Sequence, residues 1–160
     1  MQQIIDHIHE LYTGQFGSKP VSVDKIPQSG SDRVYFRATG VQTCIATWNK
    51  NVKENQTFLK FSNHFQVAGC PVAKVFAVNK DETIYLQQDF GDVSLLNELE
   101  QHGYSQHVYS LFQQSLQRLA HLQIKGHEHL DYNWCITSKE FGKQAIMSDL
   151  LYYKYYLLDT

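Results

Sequence analysis

The sequence predicts an α+β fold, a five-stranded antiparallel sheet with one helix between its third and fourth strands, preceded by a helix and followed only by helices. Two observations carry this. Apolar spacing switches between helical and alternating periods along the chain, and glycines or turn residues stand at the switches. Composition agrees, because 42% apolar and 13% aromatic residues can fill a core, while 19% charged residues are too few for a disordered chain.

The first helix is read from Ile4, Ile5, Ile8, Leu11 and Tyr12, and it ends near Gly14 to Gly17. Val21 and Val23 then alternate with polar residues in a strand closed by Ile26 and Pro27. After the turn Ser29 to Asp32, a second strand runs from Arg33 to Thr39, with Val34, Phe36 and Ala38 on one face and Arg33, Tyr35 and Arg37 on the other. Thr43 to Trp48, following Gly40, is the third. Helical spacing returns from about Val52 to Ala68, with Phe58, Phe61, Phe65 and Ala68 on one face and Gly69 as the stop. Pro71 opens an extended piece, Ala73 to Val78, which the turn Asn79 to Glu82 joins to Thr83 to Gln87 as a second hairpin. Ser94 caps a short helix through Glu98, Val108 to Leu122 marks a longer one, and a last helix spans Lys143 to Leu158. This order is the plan of a protein-kinase-like N-terminal lobe running into a helical region.

Several function classes lose ground on composition. Fourteen Lys and Arg against sixteen Asp and Glu give a net charge of -2, without the basic run that phosphate-driven nucleic-acid binding needs. Cys44, Cys70 and Cys135 are odd in number and lack metal or redox spacing, so they are expected as small core residues in a reducing compartment. The opening MQQIIDHIHEL lacks a cationic start and carries Asp6 and Glu10, which points to the cytoplasm. Leu150 to Leu158, nine residues with a central lysine, is too short to span a bilayer, and no membrane partner is expected. His7/His9 and His127/His129 lack zinc-site spacing with a third ligand, and surface or helix-end roles are expected for them.

The turn PQSGSDRVYFR is the first chemical candidate. Gly30 permits close backbone approach, Ser29 and Ser31 add hydroxyls, and neighbouring N–H groups can cradle an anion. The same residues also suit an ordinary hairpin turn.

SGSDRVYFR, then KENQTFLKFSNHF, then GCPVAKVFAVNKDETIYLQQDFGDVSL resemble the aminoglycoside phosphotransferase family of small-molecule kinases, and within it the bacterial N-acetylmuramate and N-acetylglucosamine 1-kinase group. The resemblance implies a kinase-like fold, ATP and Mg²⁺ as co-substrates, and a hydroxylated small molecule as acceptor. It implies that Gly30, Ser31 and Asp32 belong to the phosphate-covering loop, with Ser29 beside them. Glu54 matches the acidic residue on the helix after the third strand, although an acid in a first helical turn also simply complements the helix dipole. Gln88 and Asp89 match the hinge, whose backbone pairs with adenine. In these terms residues 1–89 form the N-lobe with its leading helix, and 90–160 the hinge and the start of a helical lobe.

Departures from the wider kinase pattern matter as much. The third strand, CIATWN, lacks the lysine that grips the α and β phosphates; Thr47 or Ala46 stands there, and Arg33 or Arg37 is left to supply the charge. Asp89-Phe90-Gly91 mimics a metal-binding triplet but precedes any catalytic loop, so it reads as hinge with Gly91 serving a turn. His129-Leu130-Asp131 mimics a catalytic loop, yet the residue five after Asp131 is Ile136 rather than Asn, and it reads as a helix connector. No segment offers a catalytic Asp with Asn five residues on and a following Asp-containing metal motif. No catalytic or metal residue is therefore assigned.

SDLLYYKYYLL is similar to a family helix that precedes those motifs, and it is apolar or aromatic on all sides, as a buried helix is. The expectation is an N-terminal portion of a longer kinase, inactive alone, with weak or no nucleotide binding, and self-associating through its last helix. The rival is a non-catalytic interaction or regulatory domain on the same fold.

Overall fold

The computed structural model describes residues 1–27, 30, 32–136, 139–140 and 142–158. They fall into two compact units, Met1–Leu130 and Asp131–Thr160. The first contains α1 (Gln2–Phe16), β1 (Ser22–Lys25), β2 (Val34–Thr39), β3 (Cys44–Trp48), α2 (Val52–Val67), β4 (Val75–Val78), β5 (Ile84–Gln88), α3 (Leu95–His102) and α4 (Gln106–Lys125). The second contains a 3-10 turn (Tyr132–Trp134) and α5 (Lys143–Tyr153), which continues as a π-helical turn (Lys154–Leu158).

The fold is α+β around a five-stranded antiparallel sheet of order β1-β2-β3-β5-β4. After β3 the chain crosses through α2 to the far edge as β4, and β5 returns between them. Several elements differ in extent from the expectation. β4 starts at Val75 rather than Ala73, since Pro71 donates no N–H and Val72 N–H turns back to Cys70 O at 2.9 Å. Its register shifts between Val75 and Ala77, leaving Phe76 in an irregularity that alternation cannot announce. α3 runs on past Glu98 to His102, secured by a capping box between Ser94 and Asn97 and ended by Gly103.

Alternation sorts the sheet into two faces. One carries Val34, Phe36, Ala38, Cys44, Ala46, Ile84 and Leu86, all buried beneath Ile8 and Tyr12 of α1. Full burial of each large side chain stabilises by about 2 kcal/mol. Tyr12 also fixes the β2–β3 turn, for its hydroxyl donates to Gln42 O at 2.7 Å and accepts from Gln42 N at 3.1 Å. Gly40 is required beside it, because a Cβ there would stand 2.5 Å from the Tyr12 hydroxyl.

The opposite face is covered in part by α2, where Phe58 stacks on Tyr85 with centroids 4.8 Å apart. The most deeply buried residues of α2 are not the expected aromatics but Asn55 and Ser62, while Phe58, Phe61 and Phe65 are half-buried around them. Small and hydrogen-bonded side chains lie innermost on the helix, and the rings pack at the sides.

Cys44 and Cys70 are buried, as a core role requires, whereas Cys135 is half-buried; all three are free thiols. In the second unit the side chains of Leu150 to Leu158 lie open, from 46% exposed at Leu151 to 64% at Leu157. Among the described residues no helix is long and apolar enough to cross a membrane.

Candidate functional site

Strand geometry brings the charged residues of β2 to the face away from α1. Arg33 enters the strand, Tyr35 and Arg37 follow at two-residue steps, and the register continues their rows across the sheet as Tyr35–Thr47–Tyr85 and Arg37–Ile45–Gln87. Arg33 and Arg37 are four residues apart, so about 13 Å of strand separates two polar clusters.

The first cluster sits at the Arg33 end. Glu54 lies in the first turn of α2, where Asn51 caps the helix by accepting from the Glu54 N–H at 3.3 Å. The Glu54 carboxylate meets Arg33 Nη2 at 2.5 Å through Oε1 and accepts from Asn49 Nδ2 at 3.1 Å through Oε2. Glu54 thus has a cationic partner and stands at the positive end of the helix. Arg33 also places its guanidinium 5.8 Å from the centroid of Phe58 and hydrogen-bonds with Tyr35. Burial opposes the Arg33 charge, and the surrounding Tyr85, Tyr35 and Glu54 outweigh it, so the guanidinium is held more firmly protonated than a free arginine. Burial pushes the Tyr85 phenol up to about 12.

A network of asparagines underlies this cluster. Asn55, wholly buried, donates to Asn49 O at 3.0 Å and to Glu82 O at 2.7 Å, and Asn49 Oδ1 accepts from Asn51 N at 3.0 Å. The β4–β5 turn is thereby tied to the β3–α2 corner. This network was missed in the sequence, where an Asn cap with Glu three residues on was its available signal.

The second cluster sits where β5 ends. Arg37 forks across two carboxylates, with Nε to Asp89 Oδ2 at 2.7 Å, Nη2 to Asp92 Oδ1 at 2.7 Å and Nη1 to Asp92 Oδ2 at 2.8 Å. Hydrogen bonds donated to Asp92 and Asp89 raise the Arg37 pKa far above its ordinary value, and the same bond from Arg37 holds the Asp92 carboxyl below the usual carboxylate range. Asp89 Oδ1 further accepts from Gly91 N at 2.8 Å, and Gly91 adopts φ 80, a turn conformation suited to glycine. Arg37 is therefore engaged by the segment following β5, and of the two candidate arginines only Arg33 stands at the end of the sheet nearer the Gly30 turn.

Not every expected site residue falls together. Arg33 and Glu54 meet, with Gly30 and Asp32 in the adjoining turn; Ser29 and Ser31 lie outside the described residues. Gln88 and Asp89 are at the opposite end of the sheet. The Gln88 N–H donates to Lys74 O at 2.8 Å and its side-chain Oε1 accepts from Lys74 N at 3.4 Å, so its amide is committed to the β4 segment. Thr47 faces the Arg33 cluster, whereas Ala46 faces the α1 core.

The apparent catalytic motifs have structural occupations. Asp131 accepts from Asn133 N at 3.0 Å and opens the 3-10 turn. Asp92 and Asn97 are also five residues apart, the spacing of a catalytic Asp and Asn, a pair the sequence reading passed over. Asp92 is in the Arg37 fork, and Asn97 Oδ1 accepts from Ser94 N at 2.8 Å in the α3 capping box. Among the described residues no group of three His, Cys, Asp or Glu could hold a metal ion.

A scan of known protein-family models yields no match to this chain, and no curated protein matches it.

Proposed function

We propose that this chain is the nucleotide-binding lobe, hinge and first helices of an ATP-dependent small-molecule phosphotransferase with a protein-kinase-like N-lobe. Its acceptor is a sugar or aminoglycoside-like hydroxyl compound. The observation that carries the reading is the Arg33–Glu54 pair, an ion pair between the sheet and the first turn of the helix inserted between strands three and four. Kinase-like sites use such a pair to hold a cation against nucleotide phosphates. ATP would lie along the sheet face with its phosphates toward Gly30, Asp32 and Arg33 and its adenine toward Asp89 and Phe90.

Mg²⁺ would supply charge neutralisation at the nucleotide phosphates, and among the described residues no group of three His, Cys, Asp or Glu is placed to hold it. The exposed helix over Leu150 to Leu158 supports self-association of the chain.

A non-catalytic regulatory domain is the second reading. It is favoured by Thr47 at the place of the lysine and by the engagement of Asp89, Asp92 and Asp131 in structural contacts. An ATP-consumption assay with N-acetylhexosamines and aminoglycosides separates the two. The chain extended through a following helical lobe should transfer phosphate, and the 160-residue chain should not. Inactivity of the extended chain across the panel favours the regulatory reading; turnover by the short chain that is lost in Asp89→Ala or Asp131→Ala overturns the account.

A further inference from the structure

The stretch between β5 and α3, residues 89–94, belongs to no helix or strand, and apolar burial does little to hold it, since Phe90 is 71% exposed and Val93 70%. At its far end the capping box of Ser94 and Asn97 ties it to α3. At its near end it is held by one side chain of the sheet.

All three guanidinium nitrogens of Arg37 donate to this stretch: Nε to Asp89 Oδ2 at 2.7 Å, Nη2 to Asp89 Oδ1 at 3.3 Å and to Asp92 Oδ1 at 2.7 Å, and Nη1 to Asp92 Oδ2 at 2.8 Å. Asp24, opposite Arg37 on β1, accepts instead from Ser22 Oγ at 2.7 Å. Asp89 passes the constraint on, because its Oδ1 also accepts from Gly91 N at 2.8 Å, where the backbone turns at φ 80. Arg37 thus sets the path of the chain from Asp89 to Asp92. A planar fork between two carboxylates fixes orientation as well as distance, which a lysine ammonium does not.

We infer that Arg37 is the positioning residue of this connector, a latch from β2 that holds residues 89–92 in one shape before any ligand arrives and so sets the affinity of the site for the nucleoside end of its ligand. The inference rests on the nucleotide reading above and deepens it, with Arg37 touching the connector rather than the ligand. A connector that samples many shapes binds more weakly in proportion to the fraction of time it spends in the competent one.

The test follows amide hydrogen exchange and NMR titrations with adenosine and with tripolyphosphate, for wild type, Arg37→Gln and Arg37→Lys. In Arg37→Gln the Gly91 amide should exchange roughly tenfold faster while the amides of β3 and β5 keep their rates. Adenosine affinity should fall roughly tenfold with it. Adenosine carries no charge, so loss of the arginine charge does not weaken it directly. Tripolyphosphate, expected at the Arg33 end beyond a Debye length from Arg37, should change by less than about twofold. Arg37→Lys, which keeps the charge without the fork, should fall between wild type and Arg37→Gln in both readouts. Unchanged Gly91 exchange in Arg37→Gln, a rise shared equally by β3 and β5, or unchanged adenosine affinity overturns the latch while leaving the nucleotide site standing. Failure of wild type to bind adenosine overturns the nucleotide reading, and the inference with it.

Discussion

Replacing Asn55 removes the side chain that ties the β4–β5 turn to the corner carrying Glu54. Its amide is wholly buried and donates twice, to Asn49 O and Glu82 O. Each lost bond costs about 1 kcal/mol, and leaving carbonyls without their donor in a closed corner adds to this. With the void left by the amide, Asn55→Ala should destabilise by about 2–4 kcal/mol. For a chain of this length that lowers Tm by roughly 10 °C.

Asn55→Asp is the sharper variant, since it keeps the shape and sets a carboxylate against two carbonyl oxygens. Its pKa would rise in the folded state, so the penalty is complete above that raised value and stability returns as pH falls through it. Urea unfolding of wild type, Asn55→Ala and Asn55→Asp across the acid range measures both effects. A loss under about 0.5 kcal/mol in Asn55→Ala, or an Asn55→Asp variant that gains no stability relative to wild type on acidification, would refute the reasoning.

Three further outcomes follow from the geometry. Tyr12→Phe should cost about 1–2 kcal/mol in urea unfolding, because both hydrogen bonds to Gln42 disappear while the ring remains packed. The Asp92 carboxyl should titrate below a free aspartate by NMR and return toward the ordinary value in Arg37→Gln; since its folded pKa is depressed, its contact with Arg37 is present above the unfolded pKa and lost as pH falls through the folded one. A thiol reagent at mildly alkaline pH should label Cys135 first, because burial pushes the Cys44 thiol up to about 11 and Cys70 is enclosed; equal rates at all three cysteines would contradict the packing.

The sheet was legible because alternation leaves a plain trace. Val34, Phe36 and Ala38 are buried on one face as their spacing requires, and that fixes which face receives Arg33 and Arg37. The Phe76 irregularity was not legible, since a register shift depends on the neighbouring strand. On α2, periodicity marked the aromatic face but could not foresee that Asn55 and Ser62 lie deepest, because hydrogen bonds to distant carbonyls decide it. The site was half legible. Glu54 stood out as an acid in the first turn of the helix after the third strand, whereas its pairing with Arg33 and the pairing of Arg37 with Asp89 join residues far apart in sequence, which no local pattern carries.

The central claim is that one sheet face, with Arg33 and Glu54 at one end and Asp89 at the other, binds ATP lengthwise. Amide NMR of the isotope-labelled chain with ATP addresses it directly. The account predicts that signals of Gly30 to Arg33 and of Asp89 to Gly91 shift together along one saturating curve, while those of α1 stay in place. Shifts confined to α1, or to only one of the two segments, would contradict it.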